Sequence, residues 1–132
     1  MWIYEIVNGR LSRDNALLTS GYSGAPGSVN DPTKTNLGFV GPIPEGQYTM
    51  AQPVDTIEHG PYAIALIPDP TNQMFGRYGF MMHGDSLQHP GQASDGCIII
   101  ARFAREYCWN SEDHQLKVVA IMPLSEEDQW SG

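Results

Sequence analysis

Two short segments, Phe80-Met81-Met82-His83-Gly84-Asp85 and Ser94-Asp95-Gly96-Cys97-Ile98-Ile99-Ile100, bring a histidine and a cysteine into one stretch. A cysteine attacks an acyl carbon only as thiolate, and a nearby imidazole both takes the thiol proton and later returns it to the leaving amine. Cys97 is therefore the candidate nucleophile and His83 the candidate general base. The small Ser-x-Gly approach to Cys97 allows successive backbone N–H groups, those of Gly96 and Cys97, to point at the oxygen of a tetrahedral intermediate. Gly84 leaves space for a substrate beside His83. The imidazole must be held in one tautomer. Ser94 is the first candidate for that orienting partner and Asp95 the second, although Ser94 could equally do no more than close its own turn. Asp85, two residues beyond His83, either binds a substrate amine or stands solvated.

Other chemistries fit the residues less well. His83, Asp85, His89, Cys97 and His114 could all ligate zinc, yet no HExxH, CxxC or HxH spacing occurs, so no metal is expected. The Gly-rich stretch at residues 21–27 lacks the Gly-Lys-Ser/Thr ending that would bring a lysine to a phosphate. His59, His89 and His114 carry no motif and read as solvated or turn residues. Two cysteines make no disulfide framework. A Cys97–Cys108 bridge would block the nucleophile, so Cys108 is expected to be a small buried hydrophobe.

The His83-Gly84 step followed by Ser94-Asp95-Gly96-Cys97 resembles the L,D-transpeptidase catalytic domain (YkuD type), whose pattern is a His-Gly strand end followed by Ser-His-Gly-Cys. Gly21-Tyr22-Ser23-Gly24 and Gly41-Pro42-Ile43-Pro44-Glu45-Gly46-Gln47-Tyr48, in the same order, resemble a narrower branch, the L,D-transpeptidase-like toxins delivered by type VI secretion. The resemblance spans most of residues 1–125. It implies a cysteine-dependent acyl transfer on peptidoglycan stem peptides, without a cofactor. Cys97 would attack the carbonyl of the diaminoacid at the third position, His83 would shuttle the proton, and D-alanine would leave. Water would then give L,D-carboxypeptidase activity, and a D-amino acid or a second stem would give exchange or cross-linking. In related transpeptidases a backbone carbonyl or a serine orients the histidine. The resemblance also implies that Tyr22, Ser23 and Gly24 line the substrate cleft with Gly84, Asp85 and Asp95, the other reading of Tyr22 to Gly24 being a tight turn. It implies a cognate immunity protein and type VI secretion components as partners, and action in the target-cell periplasm. Asp95 replaces the histidine before Gly-Cys, which leaves the mechanism intact. Ile99 stands where an arginine usually follows the cysteine, and this favours the alternative of a non-catalytic wall-binding or partner-binding module. A cysteine peptidase or amidase with another peptide substrate would use the same pair.

The elements that must position these residues are short. The 132 residues, with 14 Gly, 10 Pro and 41% hydrophobic content, suit one loop-rich domain, placed at residues 1–125, followed by an acidic tail at 126–132. A net charge of −8 disfavours nucleic acid and anionic membranes, which reward basic patches. No apolar run approaches the roughly 20 residues that span a bilayer, and Met1-Trp2-Ile3-Tyr4-Glu5 lacks the basic start and apolar core of a signal peptide. The chain is thus expected to be made in the cytoplasm, without membrane insertion, and to leave by another route.

Residues 2–7 and 10–12 read as a hairpin closed by a type I′ turn at Asn8-Gly9. Residues 21–38 read as a long loop over the site. Residues 46–51, 62–67 and 78–82 are β-prone runs, and 115–122 is a last strand ended by Pro123. Ile100, Phe103, Ala104 and Tyr107 fall at i, i+3, i+4 and i+7, which predicts a helix over 101–108 with those residues facing the core. The fold class expected is β-rich α+β, an L,D-transpeptidase-like mixed sheet or sandwich with one short helix after the cysteine.

Overall fold

The computed structural model describes residues 1–122; the expected acidic tail and Pro123 lie outside them. Strands β1 (Trp2–Glu5), β2 (Arg10–Arg13) and β3 (Ala16–Ser20) form a meander, and β4 (Tyr22–Ser23) follows at once. Strands β5 (Gly46–Met50), β6 (Val54–Thr56) and β7 (Gly60–Pro68) make a long hairpin in which β5 and then β6 run along β7. Strands β8 (Met81–His83) and β9 (Ile98–Ile99), helix α1 (Arg102–Asn110) and β10 (Gln115–Val119) complete the described chain. The strands pair in the order β3-β2-β1-β10-β5-β7-β8-β9-β4, with β6 on β7. Pairs β1–β10 and β8–β9 are parallel and the remaining pairs antiparallel, so the sheet is mixed.

Period-2 burial builds the core. In β10, Leu116 and Val118 face inward between exposed Gln115 and Lys117, opposite Tyr48 and Gly46 of β5. Trp2 and Tyr4 of β1, Leu11 of β2, Ile64 and Leu66 of β7, and Met82 of β8 continue the same buried layer.

Two local expectations change. The β1–β2 connection is not a two-residue type I′ turn, because Asn8 does not take a left-handed conformation. Ile6 and Val7 instead continue the parallel pairing, donating to Val119 and Ala120 carbonyls at 2.9 and 3.1 Å, and this lengthens the turn. The two consecutive left-handed residues that a type I′ turn requires are Asp14 (φ 54°) and Asn15 (φ 64°), which join Arg13 to Ala16 in the next hairpin. The helix also differs. Ile100 donates its N–H to the His83 carbonyl at 3.0 Å and so still belongs to the sheet ladder. The helix begins beyond it, buries Ala104, Arg105 and Cys108, and leaves Phe103 and Tyr107 58% and 54% exposed. Cys108 is a free, fully buried thiol, as its lack of context suggests.

Candidate functional site

Parallel pairing of β8 with β9 sets Met82 opposite Ile98 and His83 opposite Ile99. One step back along each strand, Cys97 falls beside Met81, and alternate residues of a strand share a face. Cys97 and His83 therefore come to the same face of the sheet, one diagonal step apart. Both are buried, at 5% and 4% exposure, and no hydrogen bond joins the thiol to the ring among the described residues.

The His83 ring is oriented by a carbonyl. Its Nδ1 lies 2.9 Å from the Gly84 oxygen; a carbonyl only accepts, so Nδ1 carries the hydrogen and Nε2 presents its lone pair. Ser94, the residue first expected in this role, does not touch His83. Its Oγ donates to the Cys97 carbonyl at 2.6 Å and accepts from the N–H groups of Gly24 and Gly96 at 2.9 and 3.1 Å. Ser94 thus folds the loop that carries the cysteine. The expected oxyanion hole changes with it. The Gly96 N–H is committed to Ser94, whereas the Cys97 N–H has no partner among the described residues.

The two Gly- and Pro-rich motifs converge on that same loop from behind. Ser23, fully buried, donates through Oγ to the Gly96 carbonyl at 3.0 Å and accepts from Ile43 N–H at 2.9 Å. Tyr22 donates to Asp85 at 2.6 Å and accepts from Ala93 N–H at 2.9 Å. Asp85 also receives the N–H groups of Ser86 and Gly91, so its carboxylate anchors the 86–93 loop. Burial alone would raise the Asp85 pKa, but the hydrogen bonds from Tyr22, Gly91 and Ser86 together hold it below the usual carboxylate range.

Two cavities open over the site. One, of about 520 Å³, is lined by Cys97, Gly96, Arg77 and Phe80. The other, of about 1030 Å³, is lined by His83, Gly84, Asp85 and Arg105. Glu58, His59 and Asp95 line both. Tyr22, Ser23 and Gly24 line neither and stand behind the walls. Among the described residues no group of three or more His, Cys, Asp or Glu is placed to hold a metal, and no helix is long and apolar enough to cross a membrane.

A model of the Tlde1 domain matches residues 18–124, which include both sequence motifs and every residue of the site just described. The chain belongs to the Tlde1 domain family. By its name this is a family of type VI secretion L,D-transpeptidase effectors. No curated protein and no solved structure matches the chain. The match begins inside β3, yet β1 lies between β2 and β10 in the sheet, so the first strands extend the matched Tlde1 region without a break.

Within this Tlde1 site the charges come from residues that the sequence does not flag. Arg77 donates through Nη1 to the carbonyls of Thr35 and Pro42 at 2.6 and 2.8 Å, and through Nη2 to those of Gly41 and Asp95 at 2.9 and 3.2 Å. It stands 5.1 Å from the Phe80 ring centroid and ties the Gly41-Pro42 block to the cysteine loop. Arg105, 3% exposed, reaches from α1 to the carbonyls of Ile100 and Pro61 at 2.7 and 3.3 Å. The guanidinium expected at Ile99 is absent from that position, but these two border the cavities, with Arg102 beside Arg105. Only their tertiary partners reveal them, and nothing in their local sequence does. His59 is the third such residue.

Burial pushes the Cys97 thiol up to about 11, and nearby Asp95 adds to this, against the opposing Met81 N–H and Arg77 charge. Burial likewise lowers the His83 pKa, with His59 and Arg105 adding to the effect and the Gly84 carbonyl and Asp95 opposing it. Both shifts favour the uncharged forms, neutral thiol and neutral imidazole. Alkylation of Cys97 by iodoacetamide, followed by peptide mass, is accordingly expected to accelerate about tenfold per pH unit from pH 6 to 9, because the thiolate fraction grows by that factor below the pKa. A plateau reached below pH 8 would instead reveal a preformed thiolate–imidazolium pair.

Proposed function

We propose that this Tlde1 domain is a cysteine-dependent acyl-transfer enzyme acting on peptidoglycan stem peptides, and that it serves as an antibacterial type VI effector in the target-cell periplasm. The observation that carries the reading is the shared sheet face of Cys97 and His83, with the His83 lone pair freed by its Nδ1–Gly84 bond. As the substrate carbonyl enters, Nε2 of His83 takes the Cys97 proton while Sγ bonds to the carbonyl carbon. The free Cys97 N–H meets the developing oxyanion. Collapse breaks the C–N bond to the terminal D-alanine, whose amine receives the proton back from His83. Water or the amine of a D-amino acid or a second stem then attacks the thioester carbonyl and gives its proton to His83, the C–S bond breaks, and the departing Cys97 sulfur takes that proton back. A cognate immunity protein and secretion components are the partners this role requires.

The absent arginine at Ile99 favours a non-catalytic binding module, but Arg77 and Arg105 bring guanidinium groups to both cavities from elsewhere in the chain. Incubation with purified muropeptides and mass analysis decides the matter. Loss of a D-alanine mass, or its exchange for an added D-amino acid, is expected with the native chain and not with Cys97→Ala. Cleavage at another bond would point to a different cysteine peptidase or amidase, and binding without any mass change to the module.

A further inference from the structure

The tip of the β6–β7 hairpin places an imidazole against the base. Thr56 pairs with Gly60, and Thr56 Oγ1 accepts from His59 N–H at 2.8 Å, which fixes the His59 backbone. Arg105 pins the start of β7 to α1 through the Pro61 carbonyl. From this anchored turn the His59 ring lies 4.5 Å from the His83 ring, centroid to centroid, at 33°, and it borders both the Cys97 cavity and the His83 cavity.

We propose that His59 is a positioning residue for His83, its ring, tilted at 33° against the imidazole, limiting the plane in which the base presents Nε2 to the Cys97 cavity. The proposal rests on the Cys97–His83 reading above. One hydrogen bond, Nδ1 to the Gly84 carbonyl, leaves the ring free to rock about that bond, because the terminal torsion of histidine is broad. A second ring lying against it at 4.5 Å limits that freedom, and His59 also disfavours the charged form of His83. The charged groups facing His83 are His59 from the hairpin tip, Arg105 from α1, Asp95 from the cysteine loop and Asp85 beyond β8. Glu58 stands 3.8 Å from His59 and is exposed. Asp85 is occupied by Tyr22. His59 therefore disfavours a charge on His83 at short range.

The test is an NMR titration of the His83 ring in the native chain, His59→Phe and His59→Ala, together with muropeptide turnover. Both substitutions fall on a partly exposed tip and keep the Thr56 bond. In His59→Phe the His83 midpoint is expected to rise by about half a pH unit or more, since a neighbour that disfavours the charged ring is lost, with its tautomer kept and kcat within about threefold. In His59→Ala the tautomer is expected to stay, because the Gly84 carbonyl still holds Nδ1, while the ring plane is freed and kcat falls about tenfold with KM little changed. An unmoved His83 titration in both variants, or a kcat loss in His59→Phe equal to that in His59→Ala, would overturn the proposal. The titration needs no substrate. The expected shifts without muropeptide turnover would uphold the positioning role and reject the substrate reading alone.

Discussion

Replacing Cys97 by alanine is expected to lower muropeptide turnover by on the order of 10⁴-fold or more while the fold survives, because the covalent route ends with the loss of one sulfur. The hydrogen bonds that shape the cysteine loop run through the Cys97 carbonyl, Ser94 Oγ and Ser23 Oγ, and loss of Sγ removes from them only its contact with the Met81 N–H. Circular dichroism of the variant should therefore overlay that of the native chain. His83→Ala should cost nearly as much, since a thiol pushed up to about 11 by burial is almost wholly protonated at neutral pH without a base to relieve it. The double variant should be no slower than the worse of the two, because both act in one proton transfer. Turnover surviving in Cys97→Ala, or a double loss equal to the product of the single losses, would sink the pairing.

The types and order of the two central residues were legible in the sequence, and their partners were not. His83 and Cys97 stand out because a short motif surrounds each, and the β-rich mixed sheet with a helix after Cys97 follows from local β-propensity and one periodic segment. Of the two roles open to Ser94, the structure shows the closing of its own loop, through Gly96 and Cys97, and its hydroxyl takes a further partner that the tertiary fold offers. Its donor from Gly24 lies 70 residues away in the chain, and no local spacing encodes that contact. Arg77, Arg105 and His59 escaped for the same reason, each acting through carbonyls or a ring supplied by distant segments. The helix face was misread because Ile100 shares the apolar period of α1 while its backbone is bound to His83 in the ladder; periodicity cannot show where a strand yields to a helix.

The glycine before the cysteine gives the sharpest test of how the loop is held. Gly96 has φ 143°, and a Cβ built there would lie 2.6 Å from Arg77 Nη2 and 2.9 Å from Phe80 Cε1. Gly96→Ala therefore meets both an unfavourable backbone conformation, at about 1–3 kcal/mol, and a clash that only movement of Arg77 or of the loop can relieve. Arg77 holds Thr35, Gly41, Pro42 and Asp95 together, so its displacement loosens the cavity wall, and the Cys97 N–H and Sγ shift with it. A misplacement of about 1 Å at reacting groups costs on the order of 100-fold in rate, and loss of an oxyanion donor costs about 10²- to 10³-fold. A fall in kcat of about 10²- to 10³-fold is expected, with a drop in Tm of roughly 5–10 °C. Gly27→Ala is the control: its φ is 89° but nothing lies within 4 Å of the added Cβ, so it should lose some stability and keep its rate. If Gly96→Ala turned over muropeptides as fast as Gly27→Ala, the close packing of Arg77 on the cysteine loop would have no part in catalysis.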